Sequence, residues 1–331
     1  MIGELLTLIG GGVLVIFAAI LFTNAIEYLG YRMNWSGSFV GAVLAPLFTS
    51  FPELVVFLVA VFIYGGEAGE AIGIGTLYGQ PFMASSLSYG LVGFIAIIGY
   101  YMKKRSDLVF EVERELIIPY TFITILFPLT LFPAIFPSIY TRVIGSMIFL
   151  GSYVGYIYLM YSKRITLIEE EVEKPYLDRF INNDMVSTAL QLAISVIMLY
   201  YGSEVLVSAV DSLASLMGIT PLAMSLIAIP AVTALPETAS ALVWGYRGRD
   251  TLSIASLVGE KILYSTFYPG IGIILTSWTY DFHAALSVIA TTVISLILLY
   301  YIYKRRIPWY GLMIGFVFFI LYAYIVFWLH R

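Results

Sequence analysis

The chain has 331 residues, of which 60% are hydrophobic and 11% are charged, and its formal net charge is -4. This composition excludes a soluble globular domain, and apolar runs of more than twenty residues exclude a β-barrel, whose strands alternate over short segments. The absence of cysteine excludes disulfides and thiolate metal sites, and two histidines are too few for a metal cluster of the usual kind.

We therefore expect an all-α integral membrane protein. Apolar segments predict ten transmembrane helices, at roughly residues 3–29, 38–64, 70–101, 115–138, 141–162, 185–215, 221–246, 250–277, 282–303 and 308–329. The third segment is longer than a membrane span requires, and we expect it to break near Gly79-Gln80-Pro81. No basic residue precedes Arg32, which is untypical of a cleaved signal peptide, so the first span is expected to be retained.

Basic residues are divided unevenly between the two sets of loops. Of the 17 Lys and Arg residues, Lys261 falls inside the eighth span, Arg142 and Arg331 fall on one side, and the remaining fourteen fall on the other. By the positive-inside rule, the side with fourteen is cytoplasmic and both termini are outside. We expect a multi-pass protein of a cell membrane, most simply the plasma membrane of a prokaryote.

The pattern Pro-x-x-Thr-x-x-Pro-Glu, which we call the signature, occurs at residues 46–53 and again at residues 230–237. Its acids, Glu53 and Glu237, fall inside apolar spans, where a carboxylate is costly and is usually retained for a function. The two prolines of each copy interrupt the backbone hydrogen bonds of the helix and free carbonyl groups beside the acid. Carboxylates next to free carbonyls indicate a cation site.

The similarity between the two copies extends into the helix that follows, where Gly79 matches Gly259. Each half then holds five spans, an odd number, so the second half enters the membrane from the opposite side. We predict two inverted five-helix repeats, residues 1–162 and 185–331, joined by an acidic cytoplasmic linker at residues 163–184.

The signature resembles that of the cation/calcium exchanger superfamily of sodium/calcium and proton/calcium antiporters. The family repeat combines G-T-S-x-P-E on one helix with G-N-x-x-G-S-N-x-x-N on the next. In this chain the first part reads F-T-S-F-P-E at residues 48–53 and V-T-A-L-P-E at residues 232–237, and residues 202–207 resemble the preceding family helix. The resemblance covers roughly residues 15–100 and 190–278, and it implies a transporter rather than an enzyme.

The second motif departs from the family pattern. It reads G-T-L-Y-G-Q-P-F-M-A at residues 75–84 and A-S-L-V-G-E-K-I-L-Y at residues 255–264. In the family, the Ser of G-S-N and the final Asn or Asp contribute ligands. The resemblance places these positions at Gln80 and Ala84 in the first half, and at Glu260 and Tyr264 in the second.

Polar residues four positions apart predict a polar stripe on each of these helices, because residues i and i+4 share a helical face. Thr76 and Gln80 form one stripe, and Ser256 and Glu260 form the other. Both helices are otherwise apolar, so we expect the two stripes to face the interior of the bundle.

Three carboxylates, Glu53, Glu237 and Glu260, and the amide of Gln80 are expected to converge. These hard oxygen donors suit Ca²⁺ first, and also Mg²⁺ or Mn²⁺, as the transported cation. Because three crowded carboxylates cannot all stay ionised in a low-dielectric site, at least one is expected to be protonated near neutral pH, which offers a route to proton coupling. The candidate ligands are Glu53, Glu237, Glu260, Gln80, Thr49, Ser50, Thr233, Thr76 and Ser256.

Lys261 follows Glu260 directly, and neighbouring helical residues point about 100° apart, so the two cannot share a face. Lys261 lies too deep in its span for easy snorkelling, so we expect it to pair with a buried acid such as Glu204 or with carbonyls freed at a helix break. The alternative is that Lys261 enters the cavity as a tethered cation.

Two functions are compatible with the sequence. The first is a secondary antiporter that exchanges a divalent cation for protons or sodium by alternating access, and the second is a degenerate family member that acts as a sensor, a scaffold or a carrier of another solute. An intramembrane protease is disfavoured, because no Gly-x-Gly-Asp or His-Glu-x-x-His pattern occurs. Expected partners are inorganic cations, protons or sodium, and the lipid bilayer, with no cofactor and no nucleic acid, in a monomer or homodimer.

Overall fold

A computed structural model describes residues 1–33, 47, 49–162, 173–181 and 183–329 of the protein. Pro46 of the first signature, residues 163–172 of the predicted linker, and Arg331 lie outside the described residues. In the described residues the chain is almost entirely helical, which confirms the all-α prediction.

The first half is built from helices of very different lengths and one short strand. In chain order it consists of α1 (Ile2–Arg32), α2 (Phe51–Leu58) with a π-helical extension (Val59–Tyr64), α3 (Gly66–Met83) with a π-helical turn (Ala84–Ser88), α4 (Tyr89–Tyr101), β1 (Val109–Glu111), a 3-10 turn (Arg114–Leu116), α5 (Ile117–Leu129), α6 (Leu131–Ile135) and α7 (Ile139–Ser162).

The second half begins after a 3-10 turn (Tyr176–Arg179). It consists of α8 (Asp184–Met217), α9 (Pro221–Thr233), α10 (Leu235–Tyr246), α11 (Asp250–Ala255), α12 (Val258–Ser265), α13 (Phe267–Leu275), α14 (Phe282–Tyr303), β2 (Arg306–Pro308) and α15 (Trp309–Tyr324), which ends in a π-helical segment (Ile325–Leu329).

Seven helices of the described chain are long and apolar enough to cross a membrane, and the bent pair α9–α10 makes an eighth. The extended α2 is apolar but shorter, and α11, α12 and α13 divide the predicted eighth span into three pieces. The protein is therefore a multi-pass helical membrane protein, and the count of ten spans stays a prediction.

The predicted break near Gly79-Gln80-Pro81 is wrong. Helix α3 runs without interruption through these residues and widens into the π-helical turn only at Ala84. Pro81 has no N–H and so leaves a carbonyl of the preceding turn without its helical partner. A π-turn is one way in which a helix accommodates such a local mismatch while it continues in the same direction.

The chain direction changes sharply at the second signature. Helices α9 and α10 meet at Ala234 with a bend of 56°. Ala234 has φ -81° and ψ 8°, and Ser50, at the matching place in the first signature, has φ -92° and ψ 7°. Each of these residues precedes a helix with proline in its first turn, as expected from the signature prolines.

Helix packing joins the two halves. Helix α1 lies along α8, α3 packs against α9, α5 packs against α14, α4 packs against α15, and α13 packs against α7. At Gly75 and Gly79, α3 comes so close to α9 that an added Cβ at Gly79 would lie 2.7 Å from Cγ of Pro230 and would also collide with the Leu226 carbonyl oxygen. Small residues of this kind allow membrane helices to approach closely.

At one end of the bundle, a short two-stranded sheet and a buried arginine connect the loops to one another. Strand β1 pairs antiparallel with β2, with Val109 opposite Pro308. The Arg105 side chain, which is 2% exposed, forms a salt bridge of 3.2 Å with Asp250 and donates a hydrogen bond of 2.8 Å to the Gly245 carbonyl. Burial lowers the pKa of Arg105, while the charge of Asp250 acts in the opposite direction.

Candidate cation site

The two signature acids occupy equivalent places, each in the first turn of a helix that begins after a residue with similar backbone angles, Ser50 in the first half and Ala234 in the second. Glu53 lies in α2 and is 2% exposed, and Glu237 lies in α10 and is half-buried. The free N–H groups at a helix N-terminus favour a negative charge there. Each carboxylate is therefore stabilised by its own helix, and neither forms a salt bridge with a side chain in the described ranges.

The second motif of each half supplies one more polar group. Gln80 of α3 is 1% exposed, and Glu260 of α12 is 3% exposed. The Gln80 side-chain amide donates a hydrogen bond of 2.6 Å to the Thr233 hydroxyl, which in turn donates to the Ile229 carbonyl at 3.1 Å. This hydrogen bond holds the Gln80 side chain against a residue of the other half. It uses the amide nitrogen, so the amide oxygen is left to accept from another group.

Five buried polar atoms of this region have no hydrogen-bond partner among the described residues. They are Oε2 of Glu53, Oε2 of Glu237, Oε1 of Glu260, Oε1 of Gln80 and the hydroxyl of Tyr264. Glu53 and Glu237 interact electrostatically, Glu260 interacts with both, and the Tyr264 hydroxyl interacts with all three. Buried acceptors that lack donors are costly unless water or a cation reaches them, so the cluster has the chemistry of a cation site.

Thr76 and Ser256 use their hydroxyl hydrogens within their own segments. Thr76 donates to the Ile72 carbonyl at 2.9 Å, and Ser256 donates to the Ser253 carbonyl at 3.0 Å. The stripe predicted for Ser256 and Glu260 is interrupted, because the helical hydrogen bonding stops between α11 and α12. Thr49 lies half-buried beside the buried Ser50.

Tyr268 was not identified from the sequence, although it contacts the first signature directly. Its hydroxyl donates to the Ser50 carbonyl at 3.0 Å and lies 2.7 Å from the Ser50 hydroxyl. Two oxygens of the predicted ligand Ser50 are therefore occupied by a residue of the other half. A signal was present in the sequence, because Tyr264 and Tyr268 are one helical turn apart where the first half has Ala84 and Ser88.

In the described part of the chain, no group of three acidic or histidine side chains is arranged so that it could hold one metal ion. Oxygen-rich cation sites take many of their ligands from neutral groups such as amides, hydroxyls and backbone carbonyls. The three acids predicted to converge therefore do not form such a group in the described structure, and the neutral oxygens of the cluster, such as that of Gln80, are candidate ligands beside them.

The chain was compared with models of known protein families. The family model described as sodium/calcium exchanger protein matches residues 3–162 and 187–329, which is most of the chain and both halves. The chain belongs to the sodium/calcium exchanger family. The resemblance inferred from the two signatures is thereby confirmed, and the homologous proteins are transporters rather than enzymes.

The chain is similar to a bacterial antiporter in sequence and to two solved exchanger structures in fold. CaxA of Alkalimonas amylolytica, named as an antiporter, is 24% identical over 292 residues, which cover 83% of this chain and 82% of CaxA. The H+/Ca2+ exchanger CAX aligns with a TM-score of 0.75 at 18% identity, over 99% of this chain and 85% of CAX. The sodium-calcium exchanger NCX_Mj aligns with a TM-score of 0.57 at 17% identity, over 97% and 98% of the two chains.

The environment of Lys261 in this exchanger differs from both predictions made for it. Its side chain is fully buried and donates a hydrogen bond of 3.2 Å to the Ser295 hydroxyl. Glu204 is exposed on α8, and Lys261 forms no salt bridge with any residue in the described ranges. The predicted pairing with Glu204 is therefore wrong, and Lys261 does not enter the carboxylate cluster.

Proposed function

We propose that this exchanger is a secondary antiporter that moves a divalent cation, Ca²⁺ first, in exchange for protons or sodium by alternating access. The observation that carries the proposal is the cluster of unpartnered buried oxygens at Glu53, Glu237, Glu260 and Gln80, which come from both halves of the chain. Carboxylate and amide oxygens are the ligands that Ca²⁺, Mg²⁺ and Mn²⁺ prefer.

Protons are the favoured coupling ion. The Asn-type ligand positions of the family hold Ala84 and Tyr264 in this chain, and neither residue supplies an amide oxygen. Carboxylates that interact with one another can instead exchange a cation for protons, because a proton removes both the charge and a coordinating lone pair.

The helix contacts support an architecture of two inverted five-span repeats. In the predicted numbering of spans, the first packs on the sixth, the fourth on the ninth, the third on the tenth and the fifth on the eighth. Each of these pairs maps onto itself or onto another pair when the halves are exchanged, as expected for a two-fold axis in the membrane plane. The two signatures would then lie at equivalent depths.

We also propose that both termini face the outside of the cell. A single cysteine in place of Ser138 should react with an impermeant thiol reagent applied to intact cells, whereas one in place of Ser106 should be protected. Both serines are exposed, and the chain has no cysteine of its own, so the signal arises only from the introduced residue. The reverse labelling pattern would contradict the orientation.

Transport by the purified protein in liposomes tests the function. Ca²⁺, Mg²⁺ and Mn²⁺ uptake should follow an imposed proton gradient, and each divalent ion that enters should be accompanied by proton release. Uptake that follows only a sodium gradient would make sodium the coupling ion. Absence of divalent flux under either gradient, together with absence of divalent binding by titration calorimetry between pH 5 and 9, would favour the degenerate family member.

A further inference from the structure

The ammonium group of Lys261 lies in an aromatic environment. Its Nζ atom is 5.0 Å from the ring centroid of Tyr120 and 5.4 Å from that of Tyr89. The hydroxyl of Ser295 accepts its hydrogen bond at 3.2 Å. Aromatic faces carry negative electrostatic potential and bind ammonium ions at such distances, most strongly where water is excluded. We call Tyr89, Tyr120 and Ser295 the tyrosine cage.

The rings of the cage are held by contacts that do not involve the lysine. The Tyr120 hydroxyl donates to the Tyr89 hydroxyl at 2.6 Å, and the Tyr89 hydroxyl donates to the Ile254 carbonyl at 3.2 Å. Both rings are fully buried. Their orientation is therefore set by a hydrogen-bond chain between three helices, and the cage should persist when its occupant is removed.

The charge of Lys261 is not balanced by a direct ion pair. No carboxylate lies within salt-bridge distance of its Nζ atom in the described parts of the chain. The acids Glu53, Glu237 and Glu260 interact with one another, while Lys261, the next residue after Glu260, is directed to the cage. Among the described residues, Nζ makes its favourable contacts with the two aromatic faces and one hydroxyl.

We propose that the tyrosine cage is a binding site for an alkylammonium cation and that Lys261 is its resident occupant, directed from a different face of α12 than Glu260. The matching residue of the first half is Pro81, so only the second half has a lysine at this position. The proposal concerns a site within the fold and does not depend on which ions are transported.

Removal of the occupant tests the cage directly. Lys261→Ala deletes three carbons and the ammonium group, which is the size of n-propylammonium. The melting temperature of purified Lys261→Ala should rise by a few degrees with millimolar n-propylammonium chloride, because a ligand that binds only the folded state stabilises it. The wild type should not respond, since its cage is filled. Equal concentrations of 1-propanol and of sodium chloride control for apolar binding and for salt.

Loss of a ring supplies the second control. Combining Lys261→Ala with Tyr120→Leu should abolish the response to n-propylammonium, whereas Tyr120→Phe, which keeps the aromatic face, should retain it. A response of Lys261→Ala to 1-propanol as large as that to n-propylammonium, or an equal response of the wild type, would overturn the proposal.

A second test keeps Lys261 in place, so that it applies even if Lys261→Ala cannot be purified. Ser295→Asp places a carboxylate next to a buried ammonium ion, whereas Ser287→Asp places one two turns away on the same face of α14, at an equally buried position. If Lys261 is a resident cation, Ser295→Asp should melt several degrees above Ser287→Asp, because only its charge is paired. Equal melting temperatures, or a lower one for Ser295→Asp, would show that no cation occupies the cage.

Discussion

The helices that carry the second motif differ between the two halves. In the first half, α3 continues through Gln80 and passes into a π-helical turn. In the second half, the chain breaks between α11 and α12 and again at Thr266, which has φ -138° and ψ -81°. The continuous helix contributes an amide to the cluster, and the broken one contributes a carboxylate and a tyrosine hydroxyl.

Two related halves therefore need not contribute equally to a shared site. The first half fixes the geometry, since Gly75 and Gly79 bring α3 against α9 and Gln80 is hydrogen-bonded to Thr233. The second half has an acid at the cluster, Glu260, and a lysine in the cage, Lys261, where the first half has Gln80 and Pro81.

The largest effect is expected at the residues that the halves share. Glu53→Gln and Glu237→Gln should each reduce divalent flux to the level of protein-free liposomes, because the amide keeps the shape of the side chain but removes the charge that binds the cation. Glu204→Gln is the matched control, since Glu204 is exposed on α8, and it should transport at close to the wild-type rate. Wild-type flux in either signature variant would show that its acid is not an essential ligand.

Much of this arrangement could be predicted from the sequence. The apolar segments, the bend at the second signature and the burial of Glu53, Gln80 and Glu260 all follow from hydropathy, from proline chemistry and from the repeat. These features are local, or recur at a fixed offset, so a single sequence contains them.

The direction of individual side chains could not be predicted in the same way. Tyr268 is hydrogen-bonded to Ser50, which is 218 residues away in the sequence, and Lys261 is hydrogen-bonded to Ser295, which is 34 residues away. Both contacts depend on how α12 and α13 are rotated after the two helix breaks, and the residues at a break do not determine the rotation of the helix that follows it. In α3 the sequence indicates a break that does not form. Gly79 and Pro81 favour an interruption there, but the helix continues past them and widens into a π-helical turn.

The second prediction concerns the scaffold role of the first half. Gly79→Ala should lower the stability of the protein by roughly 1–3 kcal/mol, because the new methyl group would meet the backbone and ring of α9 without room to relax. Gly10→Ala in α1 is the matched control, since nothing lies within 4 Å of its added Cβ, and it should leave stability unchanged or slightly raised. Thermal melting in detergent measures both, and equal melting temperatures would mean that α3 does not need this close approach.

The third prediction concerns a substitution that makes the two halves chemically alike at the second motif. Glu260→Gln gives the second half the amide that the first half has at Gln80, and it should weaken divalent binding about tenfold through the loss of one charge. Wild-type transport should fall as the pH drops, since protonation removes charge from the cluster. The variant should show a flatter pH dependence of flux. An unchanged pH profile with weaker binding would mean that Glu260 is a ligand but does not exchange protons.

The smallest effect is expected for the tyrosine that replaces an Asn-type ligand position of the family. The Tyr264 hydroxyl is buried, interacts electrostatically with all three carboxylates and has no hydrogen-bond partner in the part of the chain that the structure describes. Its ring packs edge-on against Tyr268, with 4.7 Å between the ring centroids. Tyr264→Phe keeps the ring contact and removes only the hydroxyl. Divalent affinity should fall a few fold, about the value of one hydrogen bond or neutral ligand.

The matched control for that variant is Tyr322→Phe, which also removes a buried hydroxyl without a partner, but next to Phe82 rather than at the carboxylates. It should bind divalent cations like the wild type. If titration calorimetry gives the same affinity for Tyr264→Phe, Tyr322→Phe and the wild type, the Tyr264 hydroxyl does not contribute to the site, and the second half differs from the first at the cluster by Glu260 alone. A loss of divalent affinity in Tyr264→Phe alone would instead mean that the second half uses a phenol where the family has an amide ligand. A phenol hydroxyl can ligate a cation through its oxygen, and it can donate a hydrogen bond to a carboxylate once the cation has left.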